Sequence, residues 1–340
     1  MVYATKKEIW YMKKRVAVLG EGAWGSALSF LFARNGYEVV LWCHHQEVAN
    51  QIAQDRINQT FFPQHIFDKS IRATSCIEEA MRHAMLVVEA IPVVYLRTVI
   101  EKTRPFFHPD HVWVITSKGI EKDTLKLPSQ IVSSVLGDDV KRAVVLGPTF
   151  AIELVEQSIS AFDVAVTDPA LFGIIKELFE NEFVSCFEQV DFIGMQLCAA
   201  FKNVIAIGVG FLKGSHAKEN TCAFFVASIM QEIAQLLVAC KGSKETLFCV
   251  SGIGDIVLTS LGSHSKNMQY GMLLAQKKSD QEIAALMPVL PEGVNTAFSV
   301  QKLAHAKGVL LPICGALAHI IEGKADVALL YRVLLQSRAQ

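Results

Sequence analysis

Apolar residues fall into two regimes along this chain. In the first half they form short runs rich in valine and isoleucine, mostly without polar alternation, at 15–19, 38–43, 85–91, 112–116, 142–146 and 164–167. Runs of this length without polar alternation predict strands covered on both faces, as in a parallel sheet between helix layers. The intervening segments, 26–34, 47–55, 77–83, 93–102, 128–136 and 169–180, have helical composition. Asp168 followed by Pro169 reads as an N-cap and a first-turn proline that start the last of them. Beyond about residue 190 strand-like runs nearly vanish, and long helical stretches follow, such as 222–240 and 280–287. The pattern predicts a doubly wound, mostly parallel α/β domain over 15–190, an all-α domain over 191–340 and a loose extension over 1–14. No low-complexity linker separates them, so direct packing with a ligand cleft between the domains is expected.

Composition narrows the class. The 340 residues suffice for a large core in each domain. With 51% hydrophobic and 19% charged residues, much apolar surface must be buried, a subunit interface included. A net charge of −1 with interspersed signs argues against a nucleic-acid or anionic-membrane surface. Residues 1–14 lack the apolar core of a signal peptide, and no run of about 18 uncharged apolar residues predicts a membrane span. The eight cysteines form no C-x-x-C pair and no zinc pattern; most sit in apolar strings, as free thiols do in a reducing compartment. These features point to the cytoplasm.

The first run leads straight into Gly20-Glu21-Gly22-Ala23-Trp24-Gly25 and then a helical segment ending near Asn35-Gly36. Strand, G-x-G-x-x-G and helix in that order form the dinucleotide-binding fingerprint. Gly20 allows the tight turn, Gly22 lets the backbone approach a pyrophosphate, and Gly25 lets helix and strand pack closely. An acidic residue that reads an unphosphorylated ribose is expected about twenty residues on, at the end of the second strand. The chain has Trp42-Cys43-His44-His45 there, so the choice between NAD and NADP stays open. His44 is either a neighbour of the adenosine ribose or a surface histidine.

Lys202 is a charge in an otherwise apolar stretch, 196–212. An ammonium buried without a partner costs several kcal/mol, so it reads as a catalytic lysine with a tuned pKa, or as a snorkelling or ion-paired one. Lys118 follows the fourth strand beside Gly119, at the edge where open sheets bind ligands; it reads as functional, with a solvated loop lysine as the alternative. Gly147-Pro148-Thr149-Phe150-Ala151 follows the fifth strand and either offers backbone amides and a hydroxyl to a polar substrate or is an ordinary turn and N-cap. Asp255 lies in a glycine-rich apolar segment, where it either tunes a lysine or caps a helix. Ser263-His264-Ser265-Lys266-Asn267 suits a phosphate or polyol, with a solvated loop as the alternative.

Together these motifs resemble the bacterial-type NAD(P)-dependent glycerol-3-phosphate dehydrogenases. The resemblance runs through Gly20–Gly25, Ser117-Lys-Gly-Ile-Glu121, Gly147–Ala151, Lys202-Asn-Val-Ile-Ala-Ile-Gly208, Gly252-Ile-Gly-Asp-Ile-Val-Leu-Thr259 and Glu292-Gly293. It implies a Rossmann domain followed by a helical domain. It also implies interconversion of dihydroxyacetone phosphate and sn-glycerol 3-phosphate with NAD or NADP, a supply for phospholipid synthesis, and a homodimer. By matching position it implies that Lys202, with Lys118 and Asp255, carries the catalysis. Gly147, Thr149, Ser265, Lys266 and Asn267 join those three in contacting the substrate, a small phosphorylated triose. Gly20, Gly22, Ala23, Trp24, Gly25, His44, Lys118, Ala151, Lys266 and Glu292 line the cofactor site. No metal is required.

Three positions depart from the family pattern. Lys266 replaces an arginine and loses its bidentate fork. Ala199 replaces a glycine three positions before Lys202. The segment around Glu292 is one residue shorter than the family pattern and carries Pro291. Two other readings stay open: the same architecture acting on another hydroxy acid, as 6-phosphogluconate and β-hydroxyacid dehydrogenases do, and a non-catalytic dinucleotide sensor.

Overall fold

The computed structural model describes residues 14–262 and 265–336; residues 1–13 of the expected extension, Ser263, His264 and residues 337–340 lie outside them. Contacts divide the chain into two compact units. One comprises the chain up to Ser117 with Pro128–Val190, and the other Lys118–Leu127 with the chain from Asp191 onward.

The first unit is built on an eight-stranded sheet. Its strands are β1 (Arg15–Leu19), β2 (Glu38–Trp42), β5 (Ile71–Thr74), β6 (Leu86–Glu89), β7 (Val112–Ile115), β8 (Lys141–Leu146), β9 (Ser160–Val166) and β10 (Val184–Gln189). A separate hairpin pairs β3 (Ile57–Asn58) with β4 (Phe62–Ile66). The sheet order is β10-β9-β8-β7-β6-β1-β2-β5. From β8 to β5 every pair is parallel, and the chain winds outward from β1 in both directions. The crevice between β1 and β6 is therefore the switch point where open sheets of this kind bind ligands. β9 runs antiparallel to β8 because only the short helix Ala151–Val155 joins them, too little for a crossover.

The run expected at 164–167 is the end of a longer strand, β9. β3, β4, β5 and β10 had no counterpart in the apolar pattern. β5 and β10 are the two edges of the sheet, and their burial alternates with exposure, so neither shows an unbroken apolar run. The helix expected at 169–180 begins as a single tight turn, Pro169–Leu171, in which Asp168 accepts the Ala170 N–H at 3.0 Å.

Among the described residues no strand follows β10. The second unit is organised by the helix Phe192–Gly214. Asp191 starts it, accepting from the Gly194 N–H at 2.8 Å, the Ser243 N–H at 2.7 Å and the Thr246 hydroxyl at 2.6 Å. Leu197, Phe201, Val204 and Ile205 pack with Phe225, Ile229 and Ile233 of the helix Glu219–Ala239 and with Ile313 and Leu317 of Pro312–Ile321. The helix Lys266–Ala275 approaches Phe192–Gly214 to backbone contact. A Cβ on Gly271 would lie 2.1 Å from the Ile207 carbonyl oxygen, and one on Gly210 2.0 Å from that of Met268. Phe192–Gly214 and Glu219–Ala239 are long and apolar enough to cross a membrane by length and composition, but most of the first is buried within this unit.

Candidate functional site

The fingerprint can be tested glycine by glycine. Gly20 has φ +115°, and a Cβ there would sit 2.7 Å from the Ala90 carbonyl oxygen; one on Gly25 would lie 1.9 Å from the Gly20 oxygen. Both positions therefore exclude any side chain. A Cβ on Gly22 would meet nothing within 4 Å, so that face of the loop is open. The helix Ala23–Arg34 begins there with no acidic residue in its first turn and no side-chain cap. Its orphan N–H groups and positive dipole end suit a phosphate, so the residues present fit a dinucleotide.

Trp24 is tied to the end of β7, its indole N–H donating to the Thr116 hydroxyl at 3.0 Å, and that hydroxyl donates to the Glu89 carbonyl at 2.6 Å. His44 is exposed just past β2. After β8, a Cβ on Gly147 would strike the Ala161 carbonyl at 2.1 Å, so glycine is required for β9 to lie alongside. The Thr149 hydroxyl is buried with no described partner, and Ala151 opens the next short helix.

The chemistry-bearing side chains of the second unit converge on Asp255. From Gly194 to Leu212 every residue is buried except Lys202. Its Nζ donates to Asp255 Oδ1 at 2.7 Å and to the Thr259 hydroxyl at 3.1 Å. Lys118 Nζ donates to the other oxygen, Asp255 Oδ2. Lys118 reaches this unit because Ile120 and Leu127, on either side of its loop, are buried in the same core as Leu197 and Phe201. A π-helical turn at Val250–Gly254 delivers Asp255 into the core at the start of Asp255–Leu261.

Asp255 is fully buried, whereas the Lys202 and Lys118 side chains remain 12% and 17% exposed. Burial raises the Asp255 carboxyl, but the two ammoniums outweigh it and hold the group below its ordinary value. Burial pulls the Lys118 amine down to about 8, against Asp255 and together with Lys202. Two amines sharing one carboxylate leave an excess positive charge at a partly dry site. That charge favours an anionic substrate or an oxygen that turns negative during reaction.

The neighbouring motif holds this helix in place. Asn267 donates to Asn203 Oδ1 at 2.9 Å and accepts the Gly293 N–H at 3.0 Å, which ties Glu292-Gly293 to the residue after Lys202. Ser265 is buried, and its hydroxyl caps the next helix by accepting the Met268 N–H at 3.2 Å. Lys266 is exposed in the first turn of that helix, where a cation opposes the dipole. Glu292 begins the helix Glu292–Ala306 after Pro291 and keeps much of its surface open. Surrounding protein still pushes its carboxyl up, against the pull of Lys202 and Lys118. Ala199 is fully buried one turn before Lys202.

Four residues escaped the sequence reading. Glu89, fully buried, accepts from the Thr116 and Ser117 N–H groups, each at 3.1 Å, and from the Ser117 hydroxyl at 2.8 Å. Asn58, in the β3–β4 hairpin, donates to the Glu21 carbonyl at 2.9 Å and braces the glycine loop. Thr259 joins Lys202, and Glu21 reaches the end of β2. A carboxylate ending a strand of three apolar residues was a visible signal for Glu89, and Thr259 closes the motif Gly252–Thr259 without having been given a role; Asn58 carried none.

A switch-point glycine loop in one unit and paired amines around a buried carboxylate in the other define a dinucleotide-dependent oxidoreductase class. The family model for the NAD-dependent glycerol-3-phosphate dehydrogenase N-terminus matches residues 15–172, and that for the C-terminus matches 191–332. A glycerol-3-phosphate dehydrogenase (NAD(P)+) of Lysinibacillus sphaericus is 34% identical over 310 residues, covering 91% of this chain and 92% of its own. One from Geobacter sulfurreducens is 33% identical over 304 residues, 89% and 91% of the two chains. The crystal structure of glycerol-3-phosphate dehydrogenase from Coxiella burnetii superposes with a TM-score of 0.90 at 25% identity, covering 96% of this chain and 99% of that one. This chain belongs to the NAD-dependent glycerol-3-phosphate dehydrogenase family.

Proposed function

We propose that this protein reversibly reduces dihydroxyacetone phosphate to sn-glycerol 3-phosphate with NADH or NADPH, as a cytoplasmic homodimer supplying a phospholipid precursor. In this reading residues 15–190, apart from the 118–127 segment that packs with the second unit, form the dinucleotide domain and 191–340 the catalytic domain. The observation that carries it is the Lys202–Asp255–Lys118 cluster in a chain matched by the family over both units.

A reduced nicotinamide dinucleotide held at the glycine loop would supply the hydride for the ketone carbon. As that bond forms, negative charge grows on the ketone oxygen. The Lys202 ammonium stabilises this oxygen and gives it a proton; in the reverse direction its neutral amine takes the hydroxyl proton. Asp255 aims both amines, and Lys118 adds positive charge beside them. Gly147, Thr149, Ser265, Lys266 and Asn267 hold the phosphorylated triose, with Ser265 and Asn267 acting chiefly by fixing the helices that carry the site. Gly20, Gly22, Ala23, Trp24 and Gly25 receive the dinucleotide, and His44, Lys118, Ala151, Lys266 and Glu292 complete its surroundings.

The direct test is oxidation of NADH and of NADPH, followed in parallel by nicotinamide absorbance with dihydroxyacetone phosphate. Substrate-dependent oxidation is expected. Turnover of another hydroxy acid's ketone in its place, or binding without turnover, would overturn the reading.

A further inference from the structure

The tip of β2 has no acidic residue of its own, yet a carboxylate stands there. It comes from Glu21, between the first two glycines of the loop. Glu21 Oε2 accepts the His44 backbone N–H at 2.9 Å. Its Oε1 accepts from His45 Nδ1 at 2.9 Å and from the His45 backbone N–H at 3.4 Å. His44 and His45 follow β2 almost directly, where a sheet of this topology reads the adenosine ribose. The backbone beneath the side chain is held from two sides. Asn58 Nδ2 donates to the Glu21 carbonyl at 2.9 Å and the Ser26 hydroxyl donates to it at 3.2 Å.

The side chain is anchored but not sealed, with 14% of it exposed. Burial raises its pKa, and the hydrogen bonds from His44, His45 and its own backbone N–H more than offset that, so the carboxyl lies below its ordinary value. A carboxylate offers about four lone-pair directions. Of the His44 and His45 contacts only the His44 N–H falls on Oε2, so that oxygen has a lone pair to offer a further donor.

We propose that Glu21 selects the dinucleotide, favouring NAD(H) and rejecting NADP(H). The inference rests on the reading that this unit binds a nicotinamide dinucleotide. A ribose 2′-hydroxyl donates to the remaining lone pair of Oε2. A 2′-phosphate has no such proton to give and brings about two negative charges against an anion. The backbone N–H groups of His44 and His45, which would hold that phosphate, are already bonded to Glu21. One side chain thus supplies an acceptor for the hydroxyl, repulsion for the phosphate, and competition for the phosphate's donors. The specificity residue sits in the glycine fingerprint itself, displaced from its usual place at the end of the second strand.

The test is equilibrium binding of NADH and NADPH by nucleotide fluorescence at about pH 8, where ordinary imidazoles are neutral. The parent chain, E21Q and E21S are compared, each with its thermal transition recorded. The parent is expected to bind NADH at least about tenfold more tightly than NADPH. In E21Q, or in E21S where E21Q fails to fold, that ratio is expected to fall at least about tenfold, mainly through tighter NADPH binding. A parent that binds NADPH as well as NADH, or a variant with an unchanged ratio, overturns the assignment. A parent that binds neither overturns both the assignment and the dinucleotide reading. Binding of NADH alone, with no turnover of dihydroxyacetone phosphate, leaves the assignment standing and removes the proposed reaction.

Discussion

Lys202 and Asp255, 53 positions apart, meet at 2.7 Å, and the same carboxylate holds Lys118 on its other oxygen. Each lysine is stabilised in place by an anion that it alone would not saturate. Lys202→Ala is expected to lower turnover at least about a hundredfold with NADH affinity intact. Asp255→Asn is expected to lower kcat/KM comparably. It should also move the alkaline limb of the reduction profile, expected near 8 from Lys118, to lower pH, because the carboxylate is what raises that amine. Initial rates across the pH range, with dinucleotide binding measured separately, check both. Near-normal turnover in Lys202→Ala would remove it from the mechanism.

Glu89 is a buried acid whose pKa burial pushes up to about 8, against hydrogen bonds from Ser117, Ile91 and Thr116 that pull it down. The unfolded value is about 4.5. Between these values the folded protein holds a proton that the unfolded chain has released. The stabilising contribution is thus complete below about 4.5 and lost as pH rises through about 8. The total is on the order of 4 kcal/mol. Glu89→Gln removes this dependence, so its thermal midpoint relative to the parent chain is expected to climb steadily from about pH 5 to about pH 8.5. A constant difference across that range would refute the assignment.

Glu232 lies buried in the helix Glu219–Ala239 and accepts the Ile313 and Cys314 N–H groups at 2.6 and 3.0 Å. It caps a helix remote from it in sequence. Glu232→Ala leaves two donors unsatisfied and is expected to cost about 2–4 kcal/mol, whereas Glu232→Gln keeps an acceptor and costs less. Thermal unfolding of the two variants, with activity followed alongside, measures the order. Equal losses would show that packing rather than capping matters there.

Lys266 carries a point charge where the family pattern has arginine. Lys266→Arg restores a fork suited to a phosphate. The KM for the phosphorylated triose is expected to fall about threefold to tenfold with kcat little changed. Steady-state kinetics with each substrate varied in turn checks this. A fall confined to the dinucleotide KM would instead place Lys266 at the cofactor.

The central strands were legible because a strand covered on both faces must be apolar throughout, and the glycine loop because its backbone contacts exclude side chains at Gly20 and Gly25. The edge strands β5 and β10 were not, since one face of each meets solvent and the apolar run breaks. Lys202 announced itself as the one charge in the apolar stretch 196–212. Its partnership with Lys118 was legible only through the family resemblance, because no local pattern shows it: it depends on Ile120 and Leu127 packing into the helical core.

Glu21 marks the same division. The chain's own order of residues dictates the strand, the turn and the helix around it, since local sterics and burial act over a few positions. Which residue stands at the ribose end of β2 is a matter of pairing between β1 and β2, and parallel pairing brings together segments that no local pattern connects. Local composition therefore set the elements and the fingerprint. Tertiary structure alone decided which carboxylate faces which amine, because charges interact through space and not along the chain.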